Sequence, residues 1–313
     1  MATKKERYQK FCLENEVPIF MNPWWLDAVC ENNKWDCVLV EKGGKVIAAM
    51  PYMLKKKGLF TFIGMPKLTP YLGPWVVFQP NQNYTKRLSY EKKTYIELIK
   101  QLPKFDKYNQ SFYPSFKNWL PFYWKKFQQT TRYTYTIDTA KKEDVFKEFQ
   151  DKTRWEINKA SKLLKIYVPD DIDDFYNLII QTFKRQNMPT PYSYSFLKKL
   201  DDILDQHKSK MVLLAKDTKG FIHAGVYLIW DNNMIYYLIG GSNPDFRKSG
   251  AASMLIWKGI KYAIEHDKIF NFEGSMHESI EKNFRAFGAI QTPYFKITKY
   301  NSFLLKLKRL FNK

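Results

Sequence analysis

The chain has 313 residues, 45% apolar and 17% aromatic, ample for a buried core and enough to exclude a disordered protein. Its 51 Lys and Arg outnumber 31 Asp and Glu, a formal charge of +20 that favours anionic partners: RNA, anionic lipid or phosphorylated small molecules. Cys12, Cys30 and Cys37 have no CxxC spacing, and His207, His223, His266 and His277 form no ligand pattern, so free thiols and no metal are expected.

Taken in order, "NPWWLDAVCEN" (22–32) is a helix opened by Asn22 and Pro23. Residues 35–54 are two apolar runs around Gly43-Gly44, a hairpin. Strands are expected at 58–64 and 74–78, a helix over 90–102 stopped by Pro103, and strands at 105–112 and 130–138. The second half opens with helices at 141–150 and 151–162. A strand "LKIYV", helices near 171–187 and 193–207, and strands at 210–216, 221–230 and 234–241 follow. A helix to His266, a strand at 269–274, a helix at 277–286 and a strand at 292–300 complete the body. The tail 300–313 is an amphipathic basic helix, a cap on the body or a membrane-surface contact. The pattern predicts an α+β protein with two domains, 1–138 and 139–313, each a mixed, largely antiparallel sheet flanked by helices. No apolar run reaches the ~18 residues of a membrane span and "MATKKERYQKF" lacks a signal-peptide core. The expectation is a cytoplasmic monomer with at most peripheral contact at an anionic membrane face.

The stretch "PDFRKSGAASMLIWKGIKYAIEH" (244–266) places Arg247, Lys248, Gly250, Ala251 and Ala252 at a helix start that follows a strand. The first turn of a helix has unpaired N–H donors and partial positive charge, so small residues there allow an anion close approach. A plain solvated helix start has the same sequence, and the motif alone does not separate the two. In this setting the stretch resembles the acyl-CoA signature of the GNAT acyltransferase superfamily, R/Q-x-x-G-x-G/A, with Arg247, Gly250 and Ala252 matching. Together with "KTRWEINKASKLLKIYV", "FNFEGS", "NFRAFGA", "NPWWLDAV" and "TPYLGPWVVF", it resembles the Fem-type branch over nearly the whole chain. That branch comprises peptidoglycan aminoacyltransferases and their relatives. The resemblance implies two tandem GNAT-like domains, the first on the acceptor side and the second holding the donor.

It also implies site residues. Glu273, at the end of the strand beside the donor strand, is the first candidate base, with His277 next; the alternatives are a structural carboxylate and a solvated helix residue. Ile239, Gly240 and Gly241 offer backbone N–H groups for an oxyanion. The tyrosine that serves many GNAT enzymes as acid falls at Phe284, and Arg285 stands where Fem-type proteins have Lys. Arg keeps the charge but releases no proton near neutrality. Arg154 is a candidate clamp for acceptor phosphate or carboxylate. Trp25, Tyr71 and Gly73 are expected on the acceptor side, the aromatics as core anchors or as groove lining. The first reading is an N-acyltransferase moving an acyl group from acyl-CoA to an amine of a small-molecule or lipid-linked envelope or glycan precursor. An aminoacyl-tRNA-dependent enzyme and an inactive polyanion-binding protein are the alternatives.

Overall fold

The structure, a computed structural model, describes residues 2–30, 34–141, 144–274 and 276–311. Contacts divide the chain into two units, Met1–Arg132 with Pro293–Lys313, and Tyr133–Thr292. The division expected from sequence kept 139–313 together. The last segment instead joins the first unit, because its strand pairs there.

In the first unit, α1 (Lys4–Glu14) is capped reciprocally: the Thr3 hydroxyl accepts from the Glu6 N–H and the Glu6 carboxylate accepts from the Thr3 N–H. α2 (Pro23–Val29) starts at Asn22 and Pro23 as expected. The strands are β1 (Trp35–Lys42), β2 (Lys45–Lys57), β3 (Phe60–Gly64), the two-residue β4 (Trp75–Val76) and β5 (Lys107–Ser111). α3 (Tyr84–Gln101) begins earlier than expected because the Asn83 side chain caps the Lys86 N–H. α4 (Leu120–Trp124) precedes β6 (Gln128–Ile137), within which the unit boundary falls.

In the second unit, residues 144–150 are turns rather than the expected helix: Lys147 N–H bonds the Asp144 carbonyl and Phe149 N–H the Phe146 carbonyl. Residues 142–143 of that expected helix lie outside the described residues. Packing overrides propensity here. Val145 and Phe149 are buried, and Phe146 and Phe149 both stack against Trp257. Then come α5 (Asp151–Leu163), β7 (Lys165–Tyr167), α6 (Asp173–Arg185), α7 (Tyr194–Gln206), β8 (Lys210–Lys216), β9 (Ile222–Trp230), β10 (Met234–Ser242), α8 (Ala251–Glu265), β11 (Ile269–Asn271) and α9 (Glu278–Arg285). β12 (Ile290–Tyr300) and α10 (Phe303–Phe311) close the chain.

The first unit's strands run in the order β1-β2-β3-β5-β12, antiparallel except for β3 beside β5. Lys296–Tyr300 of β12 pair with Lys107–Ser111 of β5, which brings the C-terminal segment into this unit. The second unit's strands run β6-β11-β10-β9-β8-β7, with only β10 and β11 parallel. Both units are thus the mixed, largely antiparallel α+β arrangement expected.

Each unit has its own core. Met50, Tyr108, Phe112, Phe122 and Ile297 anchor the first; Leu228, Leu255, Ile260, Phe270 and Phe272 anchor the second. All three cysteines are buried and outside any disulfide. Burial pushes the Cys12 and Cys37 thiols up to about 12, so they are packing residues rather than nucleophiles at neutral pH. Among the described residues, no helix is long and apolar enough to cross a membrane.

Candidate active site

In the second unit, two strands part company. β10 and β11 pair only over Met234–Tyr236 and Ile269–Asn271, while β10 continues to Ser242. On its other side β10 pairs with β9, but the register shifts between Tyr237 and Ile239, so Leu238 faces no partner residue. Bulges of this kind re-aim side chains and recur beside active sites. A cleft of about 660 Å³ opens where the strands separate. Tyr237, Leu238, Gly240 and Ser242 line it from β10, Ala252 and Ser253 from the first turn of α8, and Phe272 and Glu273 from the end of β11. Phe284 lines it from α9.

Glu273 places a carboxyl in this cleft. The buried Asn271 side chain accepts hydrogen bonds from the Glu273 N–H at 2.8 Å and the Thr134 hydroxyl at 2.7 Å. That fixes the chain as it leaves β11. Glu273 and Gly274 both adopt positive φ, +58° and +70°, which ends the strand three residues short of the expected 274. A Cβ at position 274 would lie 2.3 Å from the Tyr133 carbonyl oxygen, so glycine is required there. The Glu273 residue is half-buried, but its Oε1 is sealed and has no hydrogen-bond partner among the described residues. Desolvation holds its carboxyl well above the usual carboxylate range. A carboxylate raised in this way is a stronger base than a solvated one.

The donor side differs from expectation in detail. Gly250 caps α8 with φ +80°, and a Cβ there would fall 2.4 Å from the Glu156 carbonyl oxygen. Its smallness serves the close approach of α5, not an open cradle. Ala251 is buried as well, and Lys248 is exposed outside the cleft lining. The cleft is reached instead by Ala252, Ser253 and Arg247. As first-turn residues, Ala252 and Ser253 present N–H groups that the helix itself does not satisfy. Of the three expected oxyanion positions, Gly240 lines the cleft. Ile239 is buried, and Gly241 packs against Leu178 and Ile179 of α6.

Other expected residues are placed elsewhere. Phe284 sits in the cleft against Phe272, Tyr237 and Tyr135. Arg285 points away, 56% exposed, its Nε 2.9 Å from Glu281 one helical turn back. His277 is exposed at the N-cap of α9, outside the lining. Arg154 is no substrate clamp: its guanidinium donates to the carbonyls of Lys147 and Phe149 and pairs with Asp151, holding the turns before α5. In the first unit, Trp25 and Tyr71 are fully buried. Trp25 donates to the Thr69 hydroxyl, and Tyr71 packs edge-on against Tyr294. A Cβ at Gly73 (φ +104°) would strike the Phe112 ring at 2.5 Å. All three are core positions, not groove lining. The first unit's own cleft, about 480 Å³, begins one residue later with Pro74 and Trp75 and carries Arg87, Glu91 and Lys117.

Sequence reasoning missed Tyr237, Ser253 and Glu156. The Ser253 hydroxyl donates to the Glu156 carboxylate at 3.0 Å, which puts an acid beside the start of α8. The Tyr237 phenol occupies the space a Cβ at Gly240 would need, 1.7 Å from its oxygen. Burial pushes this phenol up to about 12, so it stays protonated and able to donate. The spacing Tyr237-x-x-Gly240 was the available signal: a one-residue bulge brings an aromatic over a glycine three positions on, where an unbroken strand would put them on opposite faces.

Residues 147–273 match the family model described as an acetyltransferase (GNAT) domain. The match lies inside the second unit and ends on Glu273. Over the whole chain the fold is shared with solved structures of low sequence identity. It is similar to the crystal structure of FemX, with a TM-score of 0.67 and 14% identity, covering 94% of this chain and 96% of that one. It is also similar to L-PGS from Bacillus licheniformis (TM-score 0.55, 10% identity, 95% and 91% covered). A third similar structure is the C-terminal DUF2156 domain of a candidate lysylphosphatidylglycerol synthetase from Agrobacterium fabrum (0.56, 11%, 95% and 91%). A search of curated proteins found no match.

Proposed function

We propose that the protein transfers an acyl group from acyl-CoA to an amine of a cell-envelope or glycan precursor, with the donor held in the second unit's cleft. The observation that carries this reading is the sealed, unpartnered Oε1 of Glu273 in the cleft that also holds the Tyr237 phenol. The acceptor enters as the neutral amine. Its nitrogen attacks the acyl carbonyl carbon and a C–N bond forms. Glu273, as carboxylate, takes the proton the amine loses. The backbone at Gly240, beyond the point where β11 leaves β10, stabilises the carbonyl oxygen as it gains charge. The bond from carbon to the leaving sulfur then breaks, and Tyr237 donates to that group as it departs. Arg247 and the first-turn N–H groups of Ala252 and Ser253 hold the donor's phosphates.

One observation favours an aminoacyl ester, as on charged tRNA, as donor. The Glu156 carboxylate at the start of α8 repels a diphosphate but pairs with the ammonium of an aminoacyl group. A phenol raised to about 12 is also better matched to a departing alkoxide than to a thiolate, whose ordinary pKa is about 8.5. Titration with acetyl-CoA and with bulk charged tRNA at two salt concentrations, followed by acyl transfer to a primary amine such as lysine, tests both. The first reading expects CoA-ester binding with shallow salt dependence and transfer from it. Transfer from charged tRNA alone replaces it with the second. Binding of either donor with no transfer, under conditions where the fold is intact, contradicts the enzyme reading.

A further inference from the structure

Apart from either cleft, the first unit exposes apolar and basic side chains together in one place. α4 exposes Leu120, Tyr123 and Trp124, at 44%, 58% and 48%, and runs directly into exposed Lys125 and Lys126. α10 exposes Phe303 and Leu304, at 70% and 64%, followed by exposed Lys306 and Lys308. Lys299 of β12 joins the two. Its Nζ donates to the Lys125 carbonyl at 2.8 Å and lies 4.9 Å from the centre of the Phe127 ring, and α10 starts four residues on. Lys92 of α3 adds a further cation, 5.8 Å from the Trp124 ring centre. Burial and the neighbouring charges of Lys125 and Lys306 lower the pKa of Lys299, which shows how crowded the positive charge is. None of Lys92, Lys125, Lys126, Lys299, Lys306 and Lys308 has an ion pair among the described residues.

We infer that this patch docks the protein on an anionic phospholipid surface, with Phe303, Leu304, Leu120 and Trp124 entering the interface and the lysines engaging lipid phosphates. The two halves of the patch call for different things. Crowded lysines are repelled by one another and relieved by an anionic surface. Exposed leucine and phenylalanine gain only from an apolar medium, and Trp and Tyr from the boundary between the two. A bilayer surface supplies all three at once. A nucleic acid would satisfy the lysines and stack on the aromatics, but offers nothing to Leu120 and Leu304. The helix lies at the interface rather than across it, since α10 spans nine residues.

Vesicle sedimentation with the whole chain tests this, using phosphatidylglycerol-containing and pure phosphatidylcholine vesicles, with bulk tRNA as a parallel ligand. The expected result is binding to the phosphatidylglycerol vesicles and not to the neutral ones. Each surface lysine contributes roughly fivefold, so Lys125→Glu with Lys306→Glu should weaken vesicle binding by at least about 25-fold. Phe303→Ser with Leu304→Ser alters only exposed side chains, and should weaken vesicle binding by roughly tenfold or more while leaving tRNA binding unchanged. Equal binding to both vesicle types overturns the inference. So does full vesicle binding by the Phe303/Leu304 variant, which would make the patch a general polyanion surface.

Discussion

Two turns of the second unit place the backbone in the same left-handed region for opposite reasons. At the start of α8, Gly250 has φ +80° because the α5 carbonyl of Glu156 leaves no room for a Cβ. After β11, Glu273 has φ +58° although it is not glycine, and its neighbour Gly274 takes the close backbone contact. Among the described residues seven other non-glycine residues share positive φ, so the angle alone marks nothing. Glu273 is set apart because it also buries an unpartnered carboxyl oxygen in a cleft. A glycine in such a turn reports packing. A strained, desolvated acid there reports a side chain that must point one way, the kind of local cost that functional sites retain.

That contrast can be broken in order of effect. Gly250→Ala should destabilise the protein by roughly 3 kcal/mol or more, or prevent folding, because backbone rather than a movable side chain blocks it. A thermal melt close to wild type would show that the turn is open. Glu273→Gln should lower kcat by about 10²–10⁴ with the fold intact. Its stability carries a sign. A carboxyl with a raised folded pKa keeps its proton while the unfolded chain ionises, so wild-type stability falls as pH rises from the unfolded value of about 4.3 toward the folded one. The Gln variant lacks that loss, and denaturant melts should show its advantage growing across that window. Tyr237→Phe should lower kcat by roughly 10²-fold, more for an ester donor than for a thioester, with little change in melting temperature. Glu273→Gly should be inactive yet more stable by about 1 kcal/mol, since it relieves the left-handed strain. Arg285→Ala should leave the melting temperature nearly unchanged and kcat within about twofold, as an exposed pair on the outside of α9. A large loss of turnover there would restore the basic position that Fem-type resemblance assigns to catalysis.

Much of this was legible in the sequence where periodicity and turn signals act locally. The three strands β8 to β10 and α8 lie within a residue or two of expectation, and the hairpin turns at Gly43-Gly44 as expected although β2 runs three residues further, to Lys57. Glu273 and Phe284 were singled out by the motifs they sit in, and both line the second unit's cleft. What failed depends on contacts distant in sequence. Gly250 and the Arg154 guanidinium look exposed in the sequence, yet their surroundings are the Glu156 carbonyl and the turns at 147–149. α1 was missed although Thr3 and Glu6 carry its capping box, because its apolar residues Tyr8, Phe11 and Cys12 are sparse among lysines. Tyr237 was hidden by the bulge, since a strand's alternation is read on the assumption that register is unbroken.

The most direct test is a pH titration of the Glu273 carboxyl in the whole protein by carbon NMR, with the signal assigned by its disappearance in Glu273→Gln. The account predicts a midpoint well above the ordinary glutamate value of about 4.3, the consequence of a sealed and unpartnered Oε1. A midpoint at or below that value would mean that the carboxylate is solvated or paired, and would contradict its assignment as the base of the cleft.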